Sequence, residues 1–289
     1  PAEPPPTVEQ PKPTPTTPVT PTPTTPKPPV ATPTTPPHPA PTPIAQASTV
    51  ELASGDRFVL VPAGIATLGS PSGEGESDEQ PQQTRDIAGF YIQETEVTTS
   101  AYARCVAAGF CSASYFTAWS SAAPACNFGA TGRERQPMNC LSAKAAENYC
   151  AWLKSDSLRF RLPTEDEWEK AARGTTTRRF PWGDTALNCA SNVAGCNPGG
   201  SVNVGSYLDD LSPVAAQDLG GNVSEWVIAR STATDFDPTP GGKHSFSTRG
   251  GSWKSKAPVR SADREPTPVP LGDAGNNAFD VGFRCVAVP

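Results

Sequence analysis

The sequence predicts a loop-rich α+β domain cross-linked by disulfides, and three observations support this prediction. Only three stretches show the periodicity of helices, and they begin near Thr98, Ser142 and Thr164. The predicted strands are short, and from residue 175 onward a Pro, Gly, Asn or Asp recurs every few residues, which is typical of long loops. All eight cysteines lie in the same part of the chain as these elements.

The composition of the 289-residue chain changes near residue 47. Residues 1–47 consist mostly of Pro and Thr and have almost no apolar bulk to bury. Because proline fixes φ and lacks an amide donor, this segment is predicted to be a disordered linker in an extended polyproline-II conformation. Residues 48–289 have a globular composition and are predicted to form one domain. The chain begins at Pro1, so we expect any membrane attachment to come from an anchor upstream of that residue.

The first elements of the domain are predicted to be two short strands, at residues 57–61 and 89–93. The polar residues 69–84 between them have nothing to bury and are predicted to form a loop. A helix then begins at Thr98 or Thr99, either of which can cap it. Residues 110–138 show no clean period and are predicted to be a loop pinned by disulfides.

Two further helices follow that loop. The second begins at Ser142, and its apolar residues recur at steps of three and four, which directs Cys150 to the core. The third begins with the capping box of Thr164 and Glu167 and ends at Gly174. We interpret the acidic residues at its start as structural, because carboxylates are favourable near the positive end of the helix dipole.

Charge and cysteine usage narrow the class of protein. The net charge of −6 and the lack of any Lys/Arg cluster argue against a nucleic-acid partner. The cysteines show no CxxC or Cys/His zinc spacing, so we predict disulfides and an extracytoplasmic location, either secreted, periplasmic or as a surface lipoprotein of a bacterial envelope. The sequence alone leaves the pairing of these cysteines open.

Five phrases occur in one order along the chain: RLPTEDEWEKAARG, then FPWG, GGNVSEW, TRGGSW and finally GFRC. Through these phrases the chain resembles the formylglycine-generating enzyme family of sulfatase-modifying factors. The resemblance implies the elaborated C-type-lectin-like α+β fold of that family. It also narrows the disulfides to the pairs Cys105–Cys111, Cys126–Cys140, Cys150–Cys285 and Cys189–Cys196.

The resemblance also implies calcium sites. The family binds calcium at the Asn and Glu that match GGNVSEW, which assigns Asn222, the carbonyl of Val223 and Glu225 as ligands. A second family site after the PWG turn matches Asn192 and Val193. Calcium takes oxygen ligands of this mixed kind, although turn residues that bond their own backbone offer an alternative interpretation.

The family's redox residues have no counterpart in this chain. The two cysteines that bind copper(I) in the family match positions near Ser255 and Lys256, and no cysteine occurs between Asn197 and Arg284. Copper(I) selects soft thiolate ligands, so we expect no copper. The single histidine of the globular part, His244, is predicted to be a solvated loop residue and offers no base for a serine nucleophile.

We therefore predict a non-catalytic recognition domain that binds an extended peptide or an envelope glycan. The predicted groove residues are Trp226, Ser252, Trp253, Arg260 and Arg264. An alternative for the arginines, including Arg249 and Arg284, is that they pair with Asp263, Asp280 or backbone carbonyls. Three other functions remain open: an oxidoreductase of the formylglycine-generating type, another enzyme activity at the same groove, and a purely structural envelope lipoprotein.

Overall fold

The computed structural model describes residues 48–118, 120–186, 189–197, 199–230, 236–264, 269–270 and 278–289. The predicted linker, residues 1–47, lies outside the described residues. Among the residues that are described, no helix is both long enough and apolar enough to cross a membrane.

The described chain contains three α-helices and a larger number of short strands. The helices are α1 (Thr99–Ala107), α2 (Ala143–Trp152) and α3 (Glu165–Arg173). The strands are β1 (Thr49–Glu51), β2 (Arg57–Val61), β3 (Gly64–Leu68), β4 (Gln83–Ile87), β5 (Phe90–Gln93), β6 (Arg159–Arg161), β7 (Ser224–Ile228), β8 (Ser245–Arg249), β9 (Val269–Pro270), β10 (Val281–Gly282) and β11 (Val286–Val288).

The strands form three sheets. The largest is antiparallel, in the order β1-β2-β5-β11-β6, and the last strand of the chain lies near its centre, where Val286 pairs with both Ile92 and Arg161. A second sheet has the order β10-β7-β8-β9, with β10 parallel to β7 and the other pairs antiparallel. β3 and β4 form a separate pair. Both ends of the domain therefore contribute strands to one sheet.

All three helix starts lie where the sequence predicts them. The side chain of Thr98 accepts a hydrogen bond from the amide of Ala101, and Ser142 caps α2 in the same way. At α3, the Thr164 hydroxyl accepts from the amide of Glu167 at 3.2 Å, while the Glu167 carboxylate accepts from the amide of Thr164 at 2.9 Å. The predicted capping box is confirmed, and it satisfies two backbone donors that a helix start leaves free.

The main core brings side chains of α1 and α2 together with side chains from the two larger sheets. Tyr102 of α1 stacks on Tyr149 of α2 with ring centroids 5.6 Å apart, and Phe283 packs edge-on against both rings. A second cluster surrounds Trp168 of α3, which packs with the apolar side chains of β2 and β5. Cys150 faces the first cluster, as predicted.

All eight cysteines form disulfides, in the four pairs that the family resemblance implies. Three of the four pairs close short loops. The Cys150–Cys285 bond instead joins α2 to the chain just before β11, across 135 residues of sequence. It thus connects the helical core to an interior strand of the largest sheet.

Two local predictions differ from the structure. Residues 69–84 are only partly a loop, because β4 begins at Gln83 and pairs with β3 along its whole length. Most residues of β4 are exposed, so the pair has no apolar alternation from which a strand could be predicted.

His244 is buried, which corrects the prediction of a solvated loop residue. Its Nε2 lies 3.0 Å from Oε1 of Glu147, and its Nδ1 lies 2.8 Å from the carbonyl oxygen of Asp237. The ring also packs edge-on against Phe246. The burial of His244 could not be predicted from its neighbours in the sequence, which are polar. Its partner Glu147 lies on α2, far away along the chain.

The first prediction concerns the long-range disulfide. In the chain-entropy estimate, closing a loop of this length stabilises the fold by about 5 kcal/mol, against about 2 kcal/mol for the short Cys105–Cys111 loop. The double change Cys150→Ser with Cys285→Ser should therefore lower the free energy of unfolding, measured in urea, by more than Cys105→Ser with Cys111→Ser. Equal losses from the two pairs would contradict this account.

The second prediction concerns the pH dependence of stability. Burial opposes protonation of His244, but its hydrogen bonds to Glu147 and to the carbonyl of Asp237 outweigh it and raise the pKa of the imidazole. A pKa raised by folding contributes stability that is complete below the unfolded pKa of about 6.5 and is lost as pH rises through the folded value. His244→Gln should cost about 1.5 to 3 kcal/mol near pH 5.5, and less near pH 8.5.

Urea unfolding of both proteins at the two pH values measures this difference. An equal loss of stability at low and high pH would show that the charged form of His244 contributes nothing.

Candidate functional site

A cleft of about 370 Å³ lies beside β8, and we call it cleft A. It contains three of the predicted site residues, namely Ser252, Ser255 and Arg264. The side chains and backbone of cleft A come from Ser224, Thr248, Arg249, Gly250, Ser252, Lys254, Ser255, Val259, Asp263, Arg264 and Asp280. Cleft A therefore presents hydroxyl groups and charges of both signs.

A cluster of buried charges borders cleft A. Glu169 of α3 accepts from three guanidinium groups: Arg173 at 2.7 Å, Arg249 at 2.8 Å and Arg264 at 3.3 Å. Burial raises the pKa of Glu169, but the charges of Arg249 and Arg264 outweigh it and hold the pKa below its usual range. These arginines therefore pair with an acid of α3 and not with Asp263 or Asp280. The other part of the alternative is confirmed, because Arg249 also donates to the backbone carbonyl of Ser261 and Arg284 to that of Gln217.

Three predicted groove residues do not line cleft A, and one of them is Trp253. Trp226 is a core residue whose indole nitrogen donates to the carbonyl oxygen of Leu141 at 3.1 Å, so it cannot face a ligand. Arg260 pairs with Glu79 and does not line cleft A. Glu79 comes from a short helical turn before β4, a partner that neighbouring sequence could not indicate.

The positions that match the family's copper cysteines form a tight polar turn. The Ser255 hydroxyl accepts from the amide of Ser252 at 3.0 Å, and the Ser255 amide donates to the carbonyl oxygen of Ser252 at 2.9 Å. Lys256 is exposed. Because every cysteine of the chain is in a disulfide, this turn has no thiolate within reach of a metal.

The predicted calcium ligands are already bonded to N–H donors. The side-chain oxygen of Asn222 accepts from the amide of Val202 at 2.9 Å and from Asn192 at 3.1 Å. Both carboxylate oxygens of Glu225 accept from Arg284 at 2.9 and 2.8 Å. A cation at the side chain of Asn222 or Glu225 would have to displace these donors.

The second predicted calcium site joins the first. The backbone carbonyl of Asn192 accepts from the amide of Asn222 at 2.8 Å, and the carbonyl of Val193 accepts from the amide of Cys196 at 3.0 Å. Among the described residues, no three Asp, Glu, His or Cys side chains are grouped as metal ligands.

A set of buried acids adjoins the predicted calcium ligands, and sequence reasoning missed it. Glu96, Asp210, Asp218 and Glu225 are all buried, with the guanidinium of Arg284 as the nearby positive charge. Burial, followed by the negative charge of Asp218, raises the pKa of both Glu96 and Asp210 well above the usual range. One oxygen of Glu96 has no hydrogen-bond partner among the described residues.

Carboxylate oxygens are ligands of the type that a hard cation binds, but no three of these side chains are grouped as metal ligands in the described residues. A cation bound here would take the place of the protons that the raised pKa of Glu96 and of Asp210 favours. No motif marks the set, because Glu96 follows β5 and the two aspartates lie in the long loop before β7. Asp218 lies two residues before the phrase GGNVSEW. This phrase is the one feature of the sequence that indicated a site in this region.

Comparison with protein families matches residues 44–288 to the sulfatase-modifying factor enzyme 1-like domain. The chain is 32% identical over 163 residues to an inactive C-alpha-formylglycine-generating enzyme 2 of Bos taurus, which covers 52% of this chain and 50% of that protein. It is 31% identical over 289 residues to a formylglycine-generating enzyme of Streptomyces coelicolor, which covers 78% of this chain and 88% of that protein. The chain thus spans about half the length of the Bos taurus relative.

A solved structure shows the same fold. PvdO from Pseudomonas aeruginosa superposes with a TM-score of 0.63 at 25% sequence identity, covering 83% of this chain and 98% of PvdO. The fold is therefore the loop-rich α+β fold that the sequence phrases imply. From the domain match and the long alignment with the Streptomyces coelicolor protein, the chain belongs to the sulfatase-modifying factor family of formylglycine-generating enzymes.

Proposed function

We propose that this chain is a non-catalytic, extracytoplasmic member of its family that binds an extended peptide or an envelope glycan in cleft A. One observation carries the proposal: all eight cysteines are bound in disulfides. A copper(I) site needs soft thiolate ligands, and Ser255 and Lys256 provide a hydroxyl and an ammonium instead. The chain therefore lacks the cysteine ligands for the copper with which the family oxidises a substrate cysteine.

The four disulfides also support the proposed location. Structural disulfides persist in oxidising compartments and are rare in the cytosol. The chain therefore works in an oxidising compartment. We place it outside the cytoplasm, secreted, in the periplasm or anchored as a surface lipoprotein.

The chemistry of cleft A supports binding. The hydroxyl of Thr248 can donate to and accept from a peptide backbone or sugar hydroxyls, and those of Ser224 and Ser252, which already donate to Gly250 and Asp280, can accept. Lys254 lies 3.4 Å from Asp280, a partly exposed pair that a charged ligand can replace at modest cost.

A catalytic function is the second candidate, because the Streptomyces coelicolor relative is named as an enzyme. The Bos taurus relative is named as inactive. Within cleft A no histidine is available as a base, since His244 is buried against Glu147. The lack of a free thiolate among the cysteines supports the binding proposal over the catalytic one.

We also propose that calcium stabilises the domain at the buried acids. Glu96, Asp218 and Glu225 are three buried carboxyl groups with one guanidinium, that of Arg284, as the nearby positive charge, and Val223 lies two residues before Glu225 in the sequence. When bound, calcium would neutralise these carboxylates, so that they need no proton. The side chains of Asn222 and Asn192 would support this region through their hydrogen bonds.

The third prediction tests the absence of oxidase activity. The full chain is incubated with copper(I), oxygen and a peptide that contains the CxPxR sequence, with the Streptomyces coelicolor enzyme as the positive control. Mass spectrometry should find the peptide cysteine unchanged by this chain and oxidised by the control. Conversion of the cysteine by this chain would overturn the proposal.

The fourth prediction tests calcium. A ligand at about 100 times its Kd stabilises the folded state by about 2.7 kcal/mol, so chelation with EDTA should lower the melting temperature by several degrees. Glu96→Gln should remove most of this response, because it removes a buried carboxylate of the set. The matched control, Glu134→Gln, changes a solvent-exposed glutamate and should keep the response. Melting that EDTA leaves unmoved in the unmodified chain would count against the calcium site.

A further inference from the structure

A second cleft, which we call cleft B, lies close to cleft A. It has a volume of about 440 Å³, within the range of about 300 to 1,000 Å³ that is typical of small-molecule sites. Trp253 lines cleft B, and its neighbours Ser252 and Lys254 line cleft A. The lining of cleft B consists of Pro124, Ala125, Asn127, Arg133, Gln136, Asn197, Gly199, Gly200, Ser201, Val202 and Trp253.

The walls of cleft B are held in place by covalent and polar contacts. The Cys126–Cys140 bond anchors the wall that contains Asn127. Asn127 is buried, and its side-chain amide donates to the carbonyl oxygen of Pro137 at 2.9 Å and to the Ser201 hydroxyl at 2.7 Å. The contact with Ser201 joins the two walls, so the cleft is formed before any ligand arrives, which lowers the entropic cost of binding.

Cleft B is almost uncharged, unlike cleft A. Its one charged lining residue is Arg133, and the Nη1 atom of Arg133 already donates to the carbonyl oxygen of Pro124 at 2.9 Å and to the side-chain oxygen of Asn127 at 3.2 Å. The remaining polar groups are amides and a hydroxyl. A neutral ligand with many hydrogen-bonding groups matches this lining better than a charged one does.

Trp253 gives cleft B an aromatic surface. Its indole nitrogen is buried and has no acceptor among the described residues, so the accessible part of the ring is carbon surface. Phe279 packs near the ring, with centroids 6.0 Å apart. Carbon–hydrogen groups, which carry partial positive charge, pack favourably on the negative face of an aromatic ring.

Aromatic carbon beside fixed amides is the combination that a sugar ring requires. One face of a pyranose presents C–H groups, while its edge presents hydroxyls that both donate and accept. The Ser201 hydroxyl donates to the side-chain oxygen of Gln136 at 3.3 Å, which leaves the Gln136 NH2 group to donate to a sugar hydroxyl and the oxygens of both residues to accept from one. Gly199 and Gly200 add no side chain that would keep a ring from the backbone.

We propose that cleft B is a carbohydrate subsite that binds a neutral pyranose ring against Trp253, with Gln136 and Ser201 bonded to its hydroxyls. The proposal rests on the proposed function only in that Trp253 also belongs to the predicted groove. It adds a second site and a class of ligand, and it favours a glycan over a peptide as the molecule bound there.

The fifth prediction tests this subsite by calorimetry on the full chain. The probes are neutral tetrasaccharides of glucose, of mannose and of N-acetylglucosamine, together with an uncharged Gly/Ser tetrapeptide. At least one tetrasaccharide should bind with a Kd below about 1 mM. Trp253→Ala should weaken that binding at least about tenfold, and Trp253→Phe, which keeps an aromatic face, should weaken it less than about threefold.

Two further variants separate a lost contact from a damaged fold. Gln136→Ala should weaken sugar binding about fivefold, which corresponds to about 1 kcal/mol for one hydrogen bond. Phe110→Ala removes an exposed aromatic ring outside both clefts and should leave binding unchanged. Melting temperatures of all variants show whether each is folded.

Three outcomes would overturn the subsite: no tetrasaccharide bound at about 10 mM, sugar binding that a folded Trp253→Ala keeps, or binding of the tetrapeptide alone. These results are independent of the oxidase assay. Oxidation of the peptide cysteine in that assay would contradict the proposed function but would not affect the proposal of a carbohydrate subsite in cleft B.

Discussion

The architecture around cleft A depends on the buried carboxylate of Glu169. It binds Arg173 on its own helix, Arg249 on β8 and Arg264 in the following segment, and it also accepts from the amide of Gly69 just after β3. A buried charge is tolerated only while its partners remain in place, because its hydration has been lost. One side chain therefore sets the relative positions of four segments, and through them the shape of the cleft.

Cysteine has a purely structural part in this framework. Few helices and many loops leave a domain with little regular hydrogen bonding, and the four disulfides constrain the chain where such bonding is sparse. A sulfur atom in a disulfide has no thiolate to offer a metal. The family fold is thus present here, with hydroxyls and charged groups lining cleft A and amides and an aromatic face lining cleft B.

Whether a predicted site residue lines cleft A depends on how far along the chain its contact partners lie. Ser252 and Ser255 line cleft A, because both belong to one turn that the family phrase defines. Trp226 and Arg260 do not, since the first packs in the core and the second reaches Glu79, 181 positions earlier in the chain. A sequence motif therefore indicates where a site forms, but it does not indicate which of the motif's side chains face the site.

The sequence by itself determined the helix starts, the family and the lack of cysteines near the groove. Helix caps depend on residues three positions apart, as with Thr164 and Glu167, so local sequence is sufficient to predict them. Only the tertiary structure decided which polar groups are buried together, such as His244 with Glu147 or Glu96 with the two aspartates. The reason is physical: a polar side chain can be buried only where partners from distant segments compensate its lost hydration, and no local pattern records those partners.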